Sequence, residues 1–327
     1  MGTYVRTQSI DHTIGERGSV SLTVRSGDLR ARGIAGGEAH LRATFEISAS
    51  SDAEADRIYE AVQLRVERGN GELAVIEQDD YDQVGKLITR FLRGHDSYEL
   101  SLVAEIPATA QLSVTAVSSE MEVNGFSGEQ RYRTVSGDLM LSDIAGSVRL
   151  ETVSGDVTIR ANEPLAVQAQ GVSGDLTIMA PKLSSLRANT VSGDVEVEAE
   201  LAADGDFRVE TVSGDFGIGL IGSATFEIHG ISTDVSSELD HRLEGQIDRR
   251  RLIIGSGGPR LVYNSMSGDV DVRRARRIMV VERHEEPAPA ASAQSVPDHA
   301  TQLEVLRALE RGEIDVDEAI RRLAGGA

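Results

Sequence analysis

The 327-residue chain has no cysteine and no tryptophan, and its aromatic residues amount to 4% of the total. Without cysteine, disulfides, thiolate metal sites and cysteine nucleophiles are all excluded. With so few rings the core has to be aliphatic, which suits narrow stacked coils better than a broad sandwich. Lysine occurs only at Lys86 and Lys182, and 53 acidic residues outweigh 33 basic ones to give a formal charge of -20. That balance argues against nucleic acid, whose phosphates need a basic surface. No apolar run reaches the ~18 residues of a membrane span, and the segment Met1 to Arg6 lacks the apolar core of an export signal. A cytoplasmic location is therefore expected.

What the chain does have is repetition. Thr134-Val135-Ser136-Gly137-Asp138 recurs as Thr152 to Asp156, Gly171 to Asp175, Thr190 to Asp194 and Thr211 to Asp215. The aspartates are spaced by 18, 19, 19 and 21 residues. A fixed period of this kind marks one supersecondary unit stacked on copies of itself. One and three residues after each Asp stand Leu139/Leu141, Val157/Ile159, Leu176/Ile178, Val195/Val197 and Phe216/Ile218. Before it, at the same period of two, stand pairs such as Val148/Leu150, Val167/Ala169 and Leu186/Ala188. Each unit thus reads as strand, Ser-Gly-Asp turn, strand and variable return. Gly supplies a positive φ, while Ser and Asp can bond the turn's own amides.

The same template fits weaker copies at Ser26-Gly27-Asp28, Ser119-Glu120, Thr233-Asp234 and Ser267-Gly268-Asp269, giving about nine units. Strict alternation turns the Thr of each motif inward and its Val outward, whereas a bulge before the turn would reverse the two. The fold expected is all-β, a β-solenoid or β-roll-like stack of period about 18 to 21, with a rod-like surface and no pocket.

Residues 1–281 form the expected repeat domain, with the clearest repeats at 112–272 and an insertion at 34–110 that is either a cap or a lobe of its own. In that insertion Ser51 reads as an N-cap with Glu54 completing a capping box, a helix runs to about Ala61, and Gly69-Asn70-Gly71 marks a hairpin. A short helix through Val84 to Phe91 is also expected. Leu239 to Gly258 lacks a clean Ser-Gly-Asp and reads as a degenerate unit or a hairpin excursion. Residues 282–300, with Pro287, Pro289 and Pro297, read as a flexible linker. Residues 301–327 read as a helical hairpin, with Leu303, Leu306 and Leu309 on one face, a break at Gly312, and Ile320 and Leu323 on the second helix. About 25 residues cannot bury a core alone, so this tail is expected to need a protein partner or a second copy through residues 301–323, making a homo-oligomer.

With these residues in view, the repeat region resembles the putative-adhesin family of bacterial β-strand-repeat domains of unknown function. The likeness rests on the Thr-Val-Ser-Gly-Asp copies, on Tyr98 to Val123 with Pro107, and on the helix near Ser51. The tail is similar to the short C-terminal helix-pair domain abbreviated SHOCT, at Leu306, Leu309, Gly312, Ile314, Glu318 and Leu323. The resemblance implies a stack of short strands and an association role for the tail. It implies no catalytic residues.

Among chemistry-bearing candidates, the Asp column comes first. Carboxylates on strands ~4.8 Å apart repel by ~0.9 kcal/mol in water. They could form a ladder of divalent-cation sites, or accept amide hydrogen bonds within their own turns, the reading favoured here because calcium rolls repeat every nine residues. The Ser has no His in phase to activate it, since His12, His40, His95, His229, His241, His284 and His299 follow no period. A carbohydrate-active β-helix enzyme would need paired, non-repeating carboxylates in a cleft. There are two Arg clusters, Arg249 to Arg251 and Arg273 to Arg277; the second, directly after the last repeat, reads as protection of the open end of the stack, with a docking patch for an acidic partner or an anionic membrane surface as its alternative. The expectation is a non-enzymatic scaffold with no catalytic, cofactor or metal residues, and a divalent-cation roll as its alternative.

Overall fold

The computed structural model describes residues 2–77, 98–246 and 248–276. They hold twenty strands and one helix, as the alternating sequence requires. The expected helix at Val84 to Phe91 and the linker and helical tail after residue 281 lie outside the described residues.

The repeats form parallel coils in register. Strands β7 (Gln111–Asn124), β8 (Glu129–Ser136), β9 (Leu139–Thr152), β10 (Val157–Gln170), β11 (Leu176–Asn189), β12 (Val195–Leu201), β13 (Phe207–Glu210) and β14 (Phe216–Ile221) build two ladders joined at the Ser-Gly-Asp corner. Residues after the corner pile one over the next: Leu141 on Ile159, Ile159 on Ile178, Ile178 on Val197 and Val197 on Ile218. All five are fully buried. Before the corner, Val148, Val167, Leu186 and Phe207 form a matching column. Each buried aliphatic side chain is worth about 1.5 to 3 kcal/mol, and every coil meets its neighbours with the same kind of residue.

At the N-terminal end, β2 (Ser19–Ile34) is itself a repeat. It pairs directly with β7 from Ser19↔Gln111 to Arg32↔Asn124, across the whole insertion. The insertion is a cap that extends both ladders. Strand β6 (Tyr98–Pro107) adds parallel to β2, followed by β3 (Glu38–Ala49) and β1 (Gly2–Thr13), both antiparallel. On the other ladder, β5 (Glu72–Ile76) adds to β2 and pairs with β4 (Arg65–Arg68) through the expected hairpin. Helix α1 (Asp52–Val62) lies on β3 and β1, with the Tyr59 ring edge-on to Phe45 at 5.5 Å. Its N-cap is Ser51, whose Oγ accepts from the Glu54 amide at 3.3 Å. The Glu54 carboxylate accepts the amide of Ser50 at 2.8 Å, so the box closes one residue earlier than the motif implies.

At the other end, chain order and spatial order part. Strands β19 (Arg260–Ser267) and β20 (Val270–Arg274), the last repeat, lie between the coil of β13 and β14 and the coil of β15 (Ala224–Ser232) and β16 (Val235–Ser237). The irregular stretch is a hairpin excursion: β17 (His241–Gln246) and β18 (Arg249–Ile254) are antiparallel, and β18 pairs antiparallel with β15. Arg249 to Arg251 are paired on both sides, with β15 and with β17. Arg273 and Arg274 pair with β14, whereas the pairing of β20 with β16 stops at Val272, so these two arginines stand where the ladder is paired on one side only. Arg273 turns back to Glu196 at 2.7 Å, and Arg251 reaches Glu227 at 3.1 Å.

Candidate functional site

The corner is where the motif acts, and nine corners stack in the order Asp28, Glu120, Asp138, Asp156, Asp175, Asp194, Asp215, Asp269 and Asp234. Parallel pairing of successive corner serines (Ser173, Ser192, Ser213, Ser267) holds them in line.

Each letter of the motif has a separate task. Thr faces inward, buried at Thr134 and half-buried at Thr152 and Thr190, and its Oγ1 donates to the carbonyl of the Ser two residues on, at 3.0, 3.2 and 3.5 Å. At Thr134 that bond satisfies a hydroxyl that burial would otherwise leave unpaired. Gly turns the chain with φ of +109° at Gly174, and an added Cβ there would stand 2.3 Å from the carbonyl oxygen of Gly155 on the coil below. Both the left-handed backbone and the close approach of coils demand glycine.

Asp ties the coils together. The amide of Asp156 donates to Oδ1 of Asp138 at 3.0 Å, Asp175 to Asp156 at 2.9 Å, Asp194 to Asp175 at 2.9 Å and Asp215 to Asp194 at 2.8 Å. The run continues from Asp269 to Asp215 and from Asp234 to Asp269. The expected turn-internal bonds are thus replaced by bonds to the next coil. Six carboxylates accept an amide of the next coil in this way, and Asp234, last in the stack, only donates. All seven aspartates are solvent-exposed, and none of them forms an ion pair among the described residues. Nor do three or more His, Asp or Glu side chains gather anywhere among the described residues in an arrangement that could hold a metal ion.

Val points outward, as alternation requires. Val117, Val135, Val153, Val172, Val191, Val212, Met266 and Ile231 make one exposed column, each 44 to 75% accessible. The next outward column is polar throughout: Arg133, Glu151, Gln170, Asn189, Glu210 and Asn264. There the Arg133 guanidinium, bonded at 2.8 Å, holds the Glu151 carboxyl below its usual range.

The described histidines stand apart from the corner serines. His40 Nδ1 meets Asp11 at 2.7 Å, His12 meets the Gly69 carbonyl, His229 meets Asn264 and His241 meets the Leu239 carbonyl. His95, His284 and His299 lie outside the described residues.

Sequence reasoning missed two features. One is a groove of about 880 Å³ along the outer face of the ladder before the corner, in place of the pocketless surface expected. Its lining includes Ser21, Ser113, Arg131, Arg149, Gln168 and Arg187, together with Glu67, Glu72, Glu129 and Asp206. Glu67 is paired with Arg65, and Asp206 with Arg187 at 2.7 Å. Ser147, Ala166 and Ser185, small outward residues at matched repeat positions in its lining, were the available signal. The other is Glu77, a buried carboxylate that accepts the Arg25 amide and the Tyr98 hydroxyl, each at 2.5 Å. It stands outside the repeat phase, so no periodicity could reveal it.

The family model described as Toastrack DUF4097 matches residues 95–184, the segment that carries the first clear coils. No curated protein matches the chain. Among solved structures, a putative adhesin from Bacteroides fragilis is 13% identical, with 82% of this chain and 97% of that chain covered and a TM-score of 0.34. A putative cell adhesion protein from Clostridium sporogenes is 8% identical, covering 82% and 100% at a TM-score of 0.24. A putative lipid binding protein from Parabacteroides distasonis is 10% identical, covering 83% and 97% at a TM-score of 0.24.

Proposed function

We propose that this protein is a non-enzymatic scaffold, a stiff β-solenoid whose tail at residues 301–323 associates with itself or with a protein partner in the cytoplasm. The observation that carries the reading is the use to which the repeated side chains are put. The conspicuous motif spends its Thr hydroxyl on its own turn, its Gly on the approach of coils and its Asp on the next coil's amide. The residues that repeat hold up a platform, and what repeats most is what a catalytic centre needs least, since a reaction uses unlike groups at one place. The linker at 282–300 then tethers an association module to that platform.

Deleting residues 285–327 tests the reading. The expected result is a lower mass by light scattering, or loss of a partner in pull-downs, with the β-rich circular dichroism retained. An unchanged mass together with an unchanged set of partners would rule the tail out as the association module. Titration with calcium, and melting with and without chelator, addresses the divalent-cation roll, for which a shift in either is required.

A further inference from the structure

We propose that the exposed aliphatic column at the corners docks a basic amphipathic helix of about 20 residues, supplied by a partner protein. The surface is independent of the tail and lies wholly on the solenoid.

The column is unlike its surroundings. Six of its eight places are Val and the others are Met266 and Ile231, while the outward column beside it is polar at every coil. Scattered exposed aliphatics need no explanation, but a continuous apolar line between polar lines marks an interaction site. On its other side, three residues along each motif, runs the line of seven aspartates from Asp138 to Asp234, solvent-exposed and without ion pairs among the described residues. All but Asp234, the last in the stack, use one oxygen for the neighbouring coil's amide, which leaves the other free for an occupant. An occupant therefore needs apolar groups in a row with cationic groups along one flank.

Spacing selects the secondary structure of that occupant. The rungs recur every ~4.8 Å, so eight of them span ~34 Å. A helix presents its apolar stripe once per 5.4 Å turn, whereas a strand presents same-face side chains only every ~6.7 Å. The helical repeat lies nearer to the rungs, and about 22 residues at 1.5 Å each cover the column. A second copy turned end over end onto the first would set one aspartate line against the other, and turned about the column it would set each aspartate line against a polar column of mixed charge, neither of which supplies a cationic flank.

The absence of cysteine makes the test site-specific. Val191→Cys, on the column, and Glu163→Cys, exposed elsewhere on the solenoid, are each labelled in the full chain with an environment-sensitive dye. Both are titrated with a 22-residue Leu/Lys amphipathic helix and with a scrambled peptide of the same composition. The expected result is a response at Val191→Cys only, at least about tenfold tighter for the amphipathic order and weakening as salt rises. Val135→Thr/Val153→Thr/Val172→Thr should weaken it by about tenfold or more with the melting temperature preserved, since Thr keeps the branched strand preference. Asp156→Asn/Asp175→Asn/Asp194→Asn should flatten the salt dependence, and if it does not fold the Val variants decide alone. Equal binding of the scrambled peptide, equal response at Glu163→Cys, or insensitivity to the Val substitutions overturns the proposal. So does a dimer by light scattering that the Val substitutions dissolve, which would assign the column to a second copy.

Discussion

The backbone amide of Asp269 donates to Oδ1 of Asp215 at 2.8 Å although 54 positions separate them. Asp234, which precedes Asp269 in the chain, lies beyond it in the stack and donates to it at 2.7 Å. The last repeat is therefore inserted between two earlier ones, and the end of the solenoid closes only when β19 and β20 arrive. Non-local pairing of this kind costs loop entropy before it is rewarded. In the cysteine-free chain, Ser213→Cys with Ser267→Cys should crosslink efficiently with a short thiol reagent. Ser213→Cys with Ser232→Cys should crosslink poorly, because a whole coil, ~4.8 Å thick, lies between them. Equal yields would contradict the inserted order.

At the Asp column, acceptor and charge can be separated. Asp175 accepts from Asp194 and its own amide donates to Asp156. Asp175→Asn keeps an oxygen acceptor in a turn that tolerates Asn and removes two like-charge neighbours worth ~0.9 kcal/mol each in water. Asp175→Ala removes the charge and the acceptor together. Urea denaturation should find Asn neutral or stabilising, and Ala less stable than Asn by about 0.5 to 1.5 kcal/mol. A cation ladder would give the reverse signature in calcium, where Asn would forfeit a ligand.

Much of the fold was legible because the repeat writes its geometry in residue types. Leu141, Ile159, Ile178 and Val197 stand at one phase of the motif and at one place in the stack, and alternation alone put Val172 outside. The weak copies at Asp28 and Asp234 were readable for the same reason. Position within the stack was not, since a coil with Leu261 and Tyr263 inward can add beside any other coil of the same width. Partners for the Arg clusters stayed hidden likewise, as Glu196 is 77 positions from Arg273. At the corner the residue types were evident, but whether Asp serves its own turn or the next depends on the backbone path at Gly, which no pattern of letters records.

His40 offers a pH readout in the N-terminal cap. Its Nδ1 hydrogen bond to Asp11 raises it above the ordinary value of 6.5, against the opposing effect of burial. A histidine raised by a folded-state partner contributes stability that is fully present below the unfolded value and fades as pH rises through the folded one. NMR titration should therefore place the His40 midpoint above 6.5, and Asp11→Asn should lower it. A midpoint that Asp11→Asn leaves in place would show that the pairing across β1 and β3 has no electrostatic weight.

Two glycines of the same motif family should respond to alanine with opposite signs. Gly174 has φ of +109° and a neighbouring carbonyl 2.3 Å from any Cβ, so Gly174→Ala strains the backbone and pushes two coils apart. Left-handed strain at a non-glycine residue alone costs about 1 to 3 kcal/mol. Gly171 stands where the other copies have Thr, outside the left-handed region, and a Cβ there meets only Thr152 Cγ2 at 3.5 Å and Thr190 Oγ1 at 3.7 Å, ordinary contacts. It borders a cavity of about 20 Å³ that Asn189 also lines, with a buried Oδ1 that has no partner. Gly171→Ala removes unfolded-chain freedom without strain, which stabilises by about 0.4 to 1 kcal/mol. Gly171→Thr restores the hydroxyl found at Thr152. Thermal melts should rise for both Gly171 variants and fall for Gly174→Ala. A fall at Gly171 would mean that the missing Thr keeps the middle of the column loose for a reason the repeat itself does not impose.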